Sequence, residues 1–381
     1  MGRTMSYKMK AAALVACMLA IGVASTPQKA SAQACDGDPQ KTALARPIPL
    51  GISGGNIHSF LRKKVNNKII GCFGGTLGSM VQDSSLNQFI LSNNHVIADQ
   101  NTAKVGQRIV QPGLEDVTCF KSPTNAVATF SKAIHINFAG GKNTVDAAIA
   151  AVEPGLVSPD ILFIGEIADS TATPVLALPV QKMGRTTCRT TGAIQAVNAN
   201  VTVNYSETHK PKLAKFINQI LVTGSTETPD FGGPGDSGSL IVTQGTCPQA
   251  VALLFAGSTG GGGVTIANPI SEVLSKLGVS MVGSCTASLT SDTSPADVLA
   301  GNSGVSMEAL NAATAVRDRH ESQLMNIKDA VGTGIGVSDG SGHPSLEVYV
   351  KKLTPEMQAA APTEVDGLPV KLVESGEFVA Y

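Results

Sequence analysis

Short runs of β-branched and aliphatic residues alternate with glycine, asparagine, aspartate and proline along most of the chain from Ile69 onward. Such spacing predicts short strands joined by tight turns. The predicted strands are 68–73, 75–81, 87–92, 107–111, 125–130 and 145–152, then 175–183, 190–205, 217–224, 238–243, 250–257 and 263–267. Six strands on each side of a junction near 155–175 favour a mainly β fold of two six-stranded antiparallel barrels. A helix from Asn268 to Leu277, stopped by Gly278, should close the second barrel.

The pattern changes after residues 285–306, which are rich in Ser, Thr, Ala and Gly and are typical of a linker. Helical and strand-like segments then alternate: 307–327, 331–337, 346–350, 354–361, 368–373 and 377–381. They predict a small α+β accessory domain over 307–381. On a movable linker it would regulate access, bind substrate protein or support a homo-oligomer. The alternative is a structural cap that completes the barrel core.

The N-terminus has the features of a secretory signal peptide. Basic residues precede an apolar run of 14 residues, 11–24, which is too short to span a membrane. Ala30-Ser31-Ala32 offers a cleavage site, so residues 1–32 predict a secreted or periplasmic protein with no membrane span after cleavage. An uncleaved anchor and lipidation of Cys35 are the alternatives. Residues 33–46 are polar and should be flexible.

Composition narrows the function classes further. Only 15% of the 381 residues are charged, and the formal net charge is −1. A nucleic-acid-binding protein is expected to carry a basic stripe, and this sequence has none. No Cys-x-x-Cys or His-x-x-x-His spacing supports a metal site, and the Gly-x-Gly-x-Gly of residues 332–336 does not fit a dinucleotide loop. We therefore expect neither a metal nor an organic cofactor.

A serine lies between glycines in the segment Gly235-Asp236-Ser237-Gly238. Glycines let the backbone turn tightly and leave its amides unobstructed. If the N–H groups of Gly235 and Ser237 converge, they form an oxyanion hole beside the Ser237 hydroxyl. A serine hydroxyl is a weak nucleophile, so this interpretation requires a base and an orienting acid elsewhere in the chain.

The predicted base is His95, in the segment 92–96 (Ser-Asn-Asn-His-Val), and the predicted acid is Asp146. The other five histidines lie in unrelated contexts. Asp146 is flanked by apolar residues, where a carboxylate is costly unless it is paired. Pairing with the Nδ1–H of His95 would hold the productive tautomer. Asp116 and Asp160, both in polar turn-like segments, are the rival acids.

The order His95, Asp146, Ser237, with successive separations of 51 and 91 positions, resembles the chymotrypsin-like (trypsin-fold) serine proteases. Subtilisins and α/β-hydrolases carry these groups in other orders. Ser-Asn-Asn-His-Val is similar to the bacterial, HtrA-like branch, whereas Gly-Asp-Ser-Gly-Ser-Leu departs from the usual Gly-Asp-Ser-Gly-Gly-Pro. The resemblance covers 47–282. It implies a chymotrypsin-like double barrel at 47–284, a serine endopeptidase, and peptide or protein substrates.

The resemblance also implies a location for substrate specificity. In trypsin-like enzymes an acid six residues before the serine selects Lys or Arg, and here that position is Phe231, preceded by Asp230. The implied pocket wall is formed by Phe255, Ala256, Gly257 and Ser258. A pocket of phenylalanine and glycine predicts a small or apolar side chain before the scissile bond, while Asp230 leaves a basic preference open.

Six cysteines remain after signal cleavage, an even number that favours disulfides in an exported chain. The resemblance implies a bridge between Cys188 and Cys247. Cys72–Cys119 would lie within the first barrel, and Cys35–Cys285 is the remainder. Buried free thiols are the alternative.

A second function class stays open alongside the protease. A protease fold with a collapsed oxyanion loop would be a catalytically weak peptide-binding or assembly protein, and its sequence would carry the same three residues. Measured turnover is what separates the two hypotheses.

Overall fold

The structure is a computed structural model that describes residues 35, 37–62, 68–120, 125–206, 210–259, 263–286, 304–338 and 342–381. Strands dominate these residues, so the predicted mainly β fold is confirmed. Burial alternates along much of the longest strand, Cys188–Asn204, as expected where one face of a sheet packs on a core.

The described residues up to Ile161 form twelve strands and the short helix α1 (Asn94–Ile97). The strands are β1 (Ile48–Leu50), β2 (Ile52–Asn56), β3 (Phe60–Arg62), β4 (Ile69–Cys72), β5 (Gly75–Leu77), β6 (Ser79–Gln82), β7 (Gln88–Ser92), β8 (Arg108–Val110), β9 (Ala126–Ala133), β10 (Lys142–Asn143), β11 (Ala148–Val152) and β12 (Val157–Ile161). Pairing runs β6-β7-β11-β9-β8-β2-β5. Only Gly78 separates β5 from β6, so this sheet returns on itself as a barrel of six strands.

The predicted first strand of this barrel is wrong. Within 68–73 the structure has β4, Ile69–Cys72, which among the described residues pairs with β3 alone, and Ile69 and Ile70 are exposed. The barrel instead uses β2, Ile52–Asn56, which is buried at every position. Its sequence, Ile-Ser-Gly-Gly-Asn, lacks the alternation that signals a half-buried strand.

The second barrel is built from β13 (Pro179–Gly184), β14 (Cys188–Asn204), β15 (Leu213–Gly224), β16 (Leu240–Thr243), β17 (Ala250–Ser258) and β18 (Thr265–Pro269). Antiparallel pairing closes them in the ring β13-β14-β15-β18-β17-β16. All six correspond to predicted strands. Helix α2 (Ile270–Leu277) follows and ends at Gly278, whose φ of 72° is the left-handed conformation expected after a helix. The two-residue strand β19 (Ser280–Met281) then pairs antiparallel with β6 of the first barrel.

The C-terminal region contains helices α3 (Met307–Met325) and α4 (Pro355–Ala360) and strands β20 (Ala330–Val337), β21 (Pro344–Val350), β22 (Glu364–Val365), β23 (Leu368–Glu374) and β24 (Phe378–Ala380). The predicted α+β character is confirmed. Ser306 begins α3 as its N-cap, since its hydroxyl accepts from the Ala309 amide at 3.1 Å.

This region is continuous with the second barrel. β20 pairs antiparallel with β14, and one twelve-stranded sheet runs from the barrel through β20, β21 and β23. A single apolar cluster joins Val180, Ile194 and Val222 of the barrel to Leu310 and Ile335. The separate accessory domain expected from the sequence is therefore replaced by an extension that shares the barrel core, because the apolar faces of the two parts pack on each other. The linker assignment stays a prediction, since 287–303 lie outside the described residues.

The segment before the first barrel is tied to the second. Gln40 is fully buried and donates to the Arg185 carbonyl at 3.1 Å, and Cys35 is bonded to Cys188. These contacts correct the flexible segment expected for 33–46, of which 35 and 37–46 are described. The predicted signal peptide, 1–32, lies outside the described residues.

Three disulfides join the six cysteines. Cys72 pairs with Cys119, as considered from the sequence. The implied Cys188–Cys247 bridge and the remaining pair Cys35–Cys285 are wrong, because the structure forms Cys35–Cys188 and Cys247–Cys285. Cys188 begins β14 beside the N-terminal segment, whereas Cys247 lies in the turn before β17, close to the chain that follows β19. Strand pairing, which spacing does not reveal, decides the partners.

Candidate active site

The side chains of His95 and Asp146 meet at the ends of two neighbouring strands. His95 lies in α1, directly after β7, and Asp146 lies just before β11. These strands pair antiparallel with Ser92 opposite Ala148, which brings the end of one beside the start of the other. His95 Nδ1 is 2.6 Å from Asp146 Oδ2, and the His95 amide donates to Asp146 Oδ1 at 3.2 Å. This arrangement turns Nε2 away from the carboxylate.

Asp146 is held by several donors and has no exposed surface. The hydroxyl of Tyr205 donates to Oδ2 at 2.8 Å, and Asn93 Nδ2 donates to the Asp146 carbonyl at 2.7 Å. Burial, together with the negative charge of Asp146, raises the pKa of Tyr205 well above its ordinary value. Tyr205 therefore stays a donor, and the carboxylate is stabilised in the orientation that faces His95.

The rival acids make other contacts. Asp116 Oδ1 lies 2.7 Å from Arg185 Nη2, in a bidentate pair, and Asp160 accepts from the Ser158 hydroxyl at 2.7 Å. Of the three carboxylates considered from the sequence, Asp146 is the one that the structure brings to His95.

Ser237 lies in the turn between β15 and β16 and is fully buried. Its Oγ donates to the Phe255 carbonyl at 3.0 Å, and its own carbonyl accepts from the Thr76 amide at 2.8 Å. Gly238 has a φ of 96°, and an added Cβ there would lie 2.1 Å from the Thr76 carbonyl oxygen. The glycine after the serine is thus required by the close approach of the first barrel.

The peptide before Gly235 is oriented by a threonine. The Thr186 hydroxyl donates to the Pro234 carbonyl at 2.6 Å. Because a trans peptide is planar, the Gly235 N–H points away from Thr186. Within the described residues, neither this amide nor that of Ser237 donates to a backbone carbonyl. Gly235 and His95 line the same cavity of about 270 Å³, whereas Ser237 is fully buried.

A buried ion pair lies beneath this turn. Lys182 Nζ is 3.3 Å from Asp236 Oδ2, and neither side chain is exposed. Asp236 also accepts from the Gly233 amide at 2.9 Å and from the Thr186 amide at 2.7 Å. Burial lowers the pKa of Lys182, which the charge of Asp236 opposes. An internal cation therefore anchors the carboxylate beside the serine, and through it the turn.

The predicted specificity residues divide into two sets. Phe231, Phe255 and Ala256 are fully buried in the apolar cores. Gly257 and Ser258 lie at the end of β17, where a further strand is bound. The Phe255 carbonyl accepts from Ser237 Oγ. The backbone of β17 therefore lies beside Ser237, and we call the space between β17, His95 and Gly235 the cleft.

The cleft is occupied by residues 378–381. β24 pairs antiparallel with β17, and Val379 lies opposite Gly257. The Tyr381 amide donates to the Phe255 carbonyl at 3.2 Å, and the Tyr381 carbonyl oxygen is 3.0 Å from His95 Nε2. The chain thus places its own backbone against the predicted base.

Sequence reasoning missed Tyr205, Lys182 and Tyr381. A lysine among the buried residues of β13 is a signal for Lys182, because a buried ammonium needs a carboxylate partner. Tyr205 follows an alternating strand and carries no local motif. The position of Tyr381 depends on pairing between β17 and a strand more than a hundred residues later, which no local pattern reveals.

No protein-family model and no curated protein matches the sequence. Among solved structures, the chain is similar to a glutamic acid specific serine protease that uses a histidine triad in substrate binding (19% identity, TM-score 0.41), to protease A of Thermobifida fusca (18%, 0.39) and to a Cellulomonas bogoriensis chymotrypsin (18%, 0.38). Each match covers 62% of this chain and 100% of the other.

None of the helices among the described residues combines the length and apolarity needed to cross a membrane. The part of the chain that the structure describes contains no group of three or more His, Cys, Asp or Glu side chains arranged to hold a metal ion.

Proposed function

We propose that the protein is a serine endopeptidase of the chymotrypsin-like class, with Ser237 as nucleophile, His95 as base and Asp146 as orienting acid. The observation that carries this proposal is the 2.6 Å contact between His95 Nδ1 and the buried Asp146, at the rim of a cavity that Gly235 also lines. The Gly-Asp-Ser-Gly sequence alone does not provide a base and an orienting acid. The buried Asp146 carboxylate, which accepts from His95 and Tyr205, provides the orienting acid of this proposal.

In the proposed reaction the Ser237 hydroxyl, which donates to the Phe255 carbonyl in the structure, first turns to His95 Nε2. Ser237 Oγ attacks the carbonyl carbon of the scissile peptide while His95 Nε2 takes its proton. The amides of Gly235 and Ser237 stabilise the oxyanion. His95 then gives the proton to the leaving amine as the C–N bond breaks, and a water molecule, deprotonated by the same nitrogen, hydrolyses the acyl-enzyme. Asp146 stays ionised and stabilises the imidazolium.

The finer class and the location belong to the same proposal. Assignment to the HtrA-like branch rests on Ser92-Asn93-Asn94-His95-Val96 alone. Three disulfides fit an oxidising compartment, which agrees with export by a signal peptide at 1–32 and a secreted or periplasmic location. A homo-oligomer through the C-terminal region stays a prediction.

Labelling with a fluorophosphonate tests the proposal. The full-length chain and Ser237→Ala are incubated with the reagent, and the labelled peptide is mapped by mass spectrometry. We expect one label, on Ser237, and none in the variant. A matched control is Ser239→Gly, two residues along the same turn, which should label like wild type.

Two outcomes would contradict the proposal: a label that persists in Ser237→Ala, or no label in any variant. Hydrolysis of a denatured protein substrate is measured in parallel. Binding without hydrolysis, equal in wild type and Ser237→Ala, would establish the peptide-binding protein instead.

A further inference from the structure

Residues 378–381 contact the cleft as a peptide substrate would, on the side of the residues that precede a scissile bond. Val379 pairs with Gly257 and Ala380 with Ala256 in antiparallel register. The Tyr381 amide then donates to the Phe255 carbonyl at 3.2 Å. That carbonyl also accepts from Ser237 Oγ, so the bound segment and the proposed nucleophile share one acceptor.

Tyr381 occupies the position next to the reacting groups. Its carbonyl oxygen is 3.0 Å from His95 Nε2, the nitrogen that the pairing with Asp146 leaves for proton transfer. Tyr381 also lines the same cavity as Gly235. A substrate residue whose carbonyl contacts the base, in a cavity that Gly235 also lines, has the position expected of the residue after which the chain is cut.

The Tyr381 side chain fills a slot that glycine opens. An added Cβ at Gly257 would lie 2.0 Å from Tyr381 Cζ, so only glycine at this position leaves room for the ring. The phenol hydroxyl donates to the Ser258 carbonyl at 3.4 Å. Burial, aided by the negative charges of Asp236 and Asp230, raises the Tyr381 pKa, which keeps this hydroxyl a donor.

We propose that residues 378–381 are a tethered, substrate-like inhibitor of the site, and that Tyr381 identifies the substrate class as peptides with an aromatic residue before the scissile bond. This inference rests on the proposed function. It takes the place of the small or apolar preference, and of the basic alternative, considered from the sequence, because the slot beside Gly257 holds a whole phenol ring.

Tethering determines how strongly the segment competes. A ligand on the same chain acts at an effective concentration on the order of millimolar. A segment that binds with a dissociation constant of ~0.1 mM would then lower the apparent affinity for substrate about tenfold. Substrate must displace the segment before it is cut.

The experiment uses four chromogenic peptides, Phe-Val-Ala-X-p-nitroanilide with X as Tyr, Phe, Ala or Lys. The proteins are the full-length chain, Tyr381→Gly and Val379→Pro, because proline lacks the amide that a strand donates to its neighbour. Glu377→Gln is the control, since its side chain is directed to Lys351 at 3.4 Å, outside the cleft. Thermal unfolding of each protein shows whether the fold is kept.

We expect kcat/KM for the Tyr and Phe peptides to rise about tenfold in Tyr381→Gly, with the Glu377→Gln value equal to wild type. The released site should favour Tyr and Phe over Ala and Lys. If Val379→Pro does not fold, Tyr381→Gly still decides, because it removes only a half-buried side chain. Equal kcat/KM in wild type and Tyr381→Gly, or a preference for Ala or Lys in the released site, would overturn the inference.

Gly257→Val gives an independent readout of the slot. Its side chain occupies the space of the ring, so hydrolysis of the Tyr peptide should fall at least tenfold relative to the Ala peptide. An unchanged Tyr-to-Ala ratio would contradict the placement of the slot. Fluorophosphonate labelling distinguishes failure of this inference from failure of the proposed function. If Ser237 is labelled but no aromatic preference is found, this inference alone is contradicted. If Ser237 is not labelled even in Tyr381→Gly, the protease assignment is contradicted as well.

Discussion

Lys182 and Asp236 form an ion pair 3.3 Å apart in which neither side chain reaches solvent. Asp236 directly precedes the proposed nucleophile, and its carboxylate accepts from three backbone amides, the neighbouring ones of Thr186 and Thr187 and that of Gly233. The site therefore contains its own cation for this carboxylate, which couples the turn bearing Ser237 to β13.

Lys182→Met should destabilise the fold strongly, because it leaves a buried carboxylate without its counter-charge. Removing one partner of a buried pair costs about 3–5 kcal/mol. Turnover should fall as well, since the turn that orients the Gly235 amide loses its anchor. Urea unfolding and kcat/KM measure the two effects. Lys276→Met is the matched control, because its pair with Glu272 is exposed and should contribute at most about 1 kcal/mol. Similar losses in both variants would contradict this account.

Tyr205→Phe should lower kcat while leaving KM nearly unchanged, because the hydroxyl orients Asp146 and is expected to contact no substrate. Losing one hydrogen bond to a charged group costs about 1.5–3 kcal/mol, or roughly 10- to 150-fold in rate if all of it is expressed in the transition state. Steady-state kinetics on an ester and an amide substrate test this. An equal rise in KM with constant kcat would assign Tyr205 to substrate binding.

The same tyrosine predicts a pH dependence of stability. The folded pKa of Tyr205 is raised above its ordinary value of about 10, so the folded chain keeps a proton that the unfolded chain releases. This contribution to stability is fully present below pH 10 and is lost as the pH rises above that value towards the folded pKa. Urea unfolding between pH 8 and 11 should show a shallower alkaline decline in Tyr205→Phe. An identical decline would exclude the contribution.

Gly235→Val should reduce kcat by about 10²–10³, the loss reported for one oxyanion donor. Gly235 has a φ of 98°, and an added Cβ would lie 2.5 Å from Thr186 Oγ1, so a β-branched residue must displace the amide. Ser239→Gly should be mild, since Ser239 lies beyond both amides. The reverse ranking in kcat would show that the oxyanion hole is placed wrongly.

Truncation after about residue 285 should give an insoluble or unfolded chain. The apolar cluster that contains Val180 and Ile194 is completed by Leu310 and Ile335, and removing the second pair exposes the first. Solubility, circular dichroism and a thermal transition decide this. A truncated chain with a cooperative transition near that of wild type would restore the separate domain inferred from the sequence.

Local patterns predicted the elements that depend on local chemistry. β14 alternates in burial, β16 and β17 are short continuous apolar runs, and α2 is stopped by Gly278. The Gly-rich turn around Ser237 is set by glycine conformations. What could not be predicted depends on pairing over long distances. The share of the core contributed by β20 and β21, the partner of Cys188 and the contact between β24 and β17 all follow from sheet order, which composition and spacing do not encode.

The approach of Tyr205 to Asp146 belongs to the same class. A tyrosine that follows a long strand has no motif, and its role appears only when β14 carries it across to the first barrel. Asp146 was accessible from the sequence because an acid among apolar residues requires a partner.

Burst kinetics on an activated ester test the central claim most directly. If Ser237 forms an acyl-enzyme, p-nitrophenol should be released in a rapid burst of one equivalent per active site, followed by slow turnover. The burst should be measured in Tyr381→Gly, which removes the phenol ring from the slot beside Gly257, and in the same variant with Ser237→Ala. We predict one equivalent in the first protein and none in the second. No burst in the first protein, or an undiminished burst without Ser237, would contradict the assignment of this chain as a serine protease.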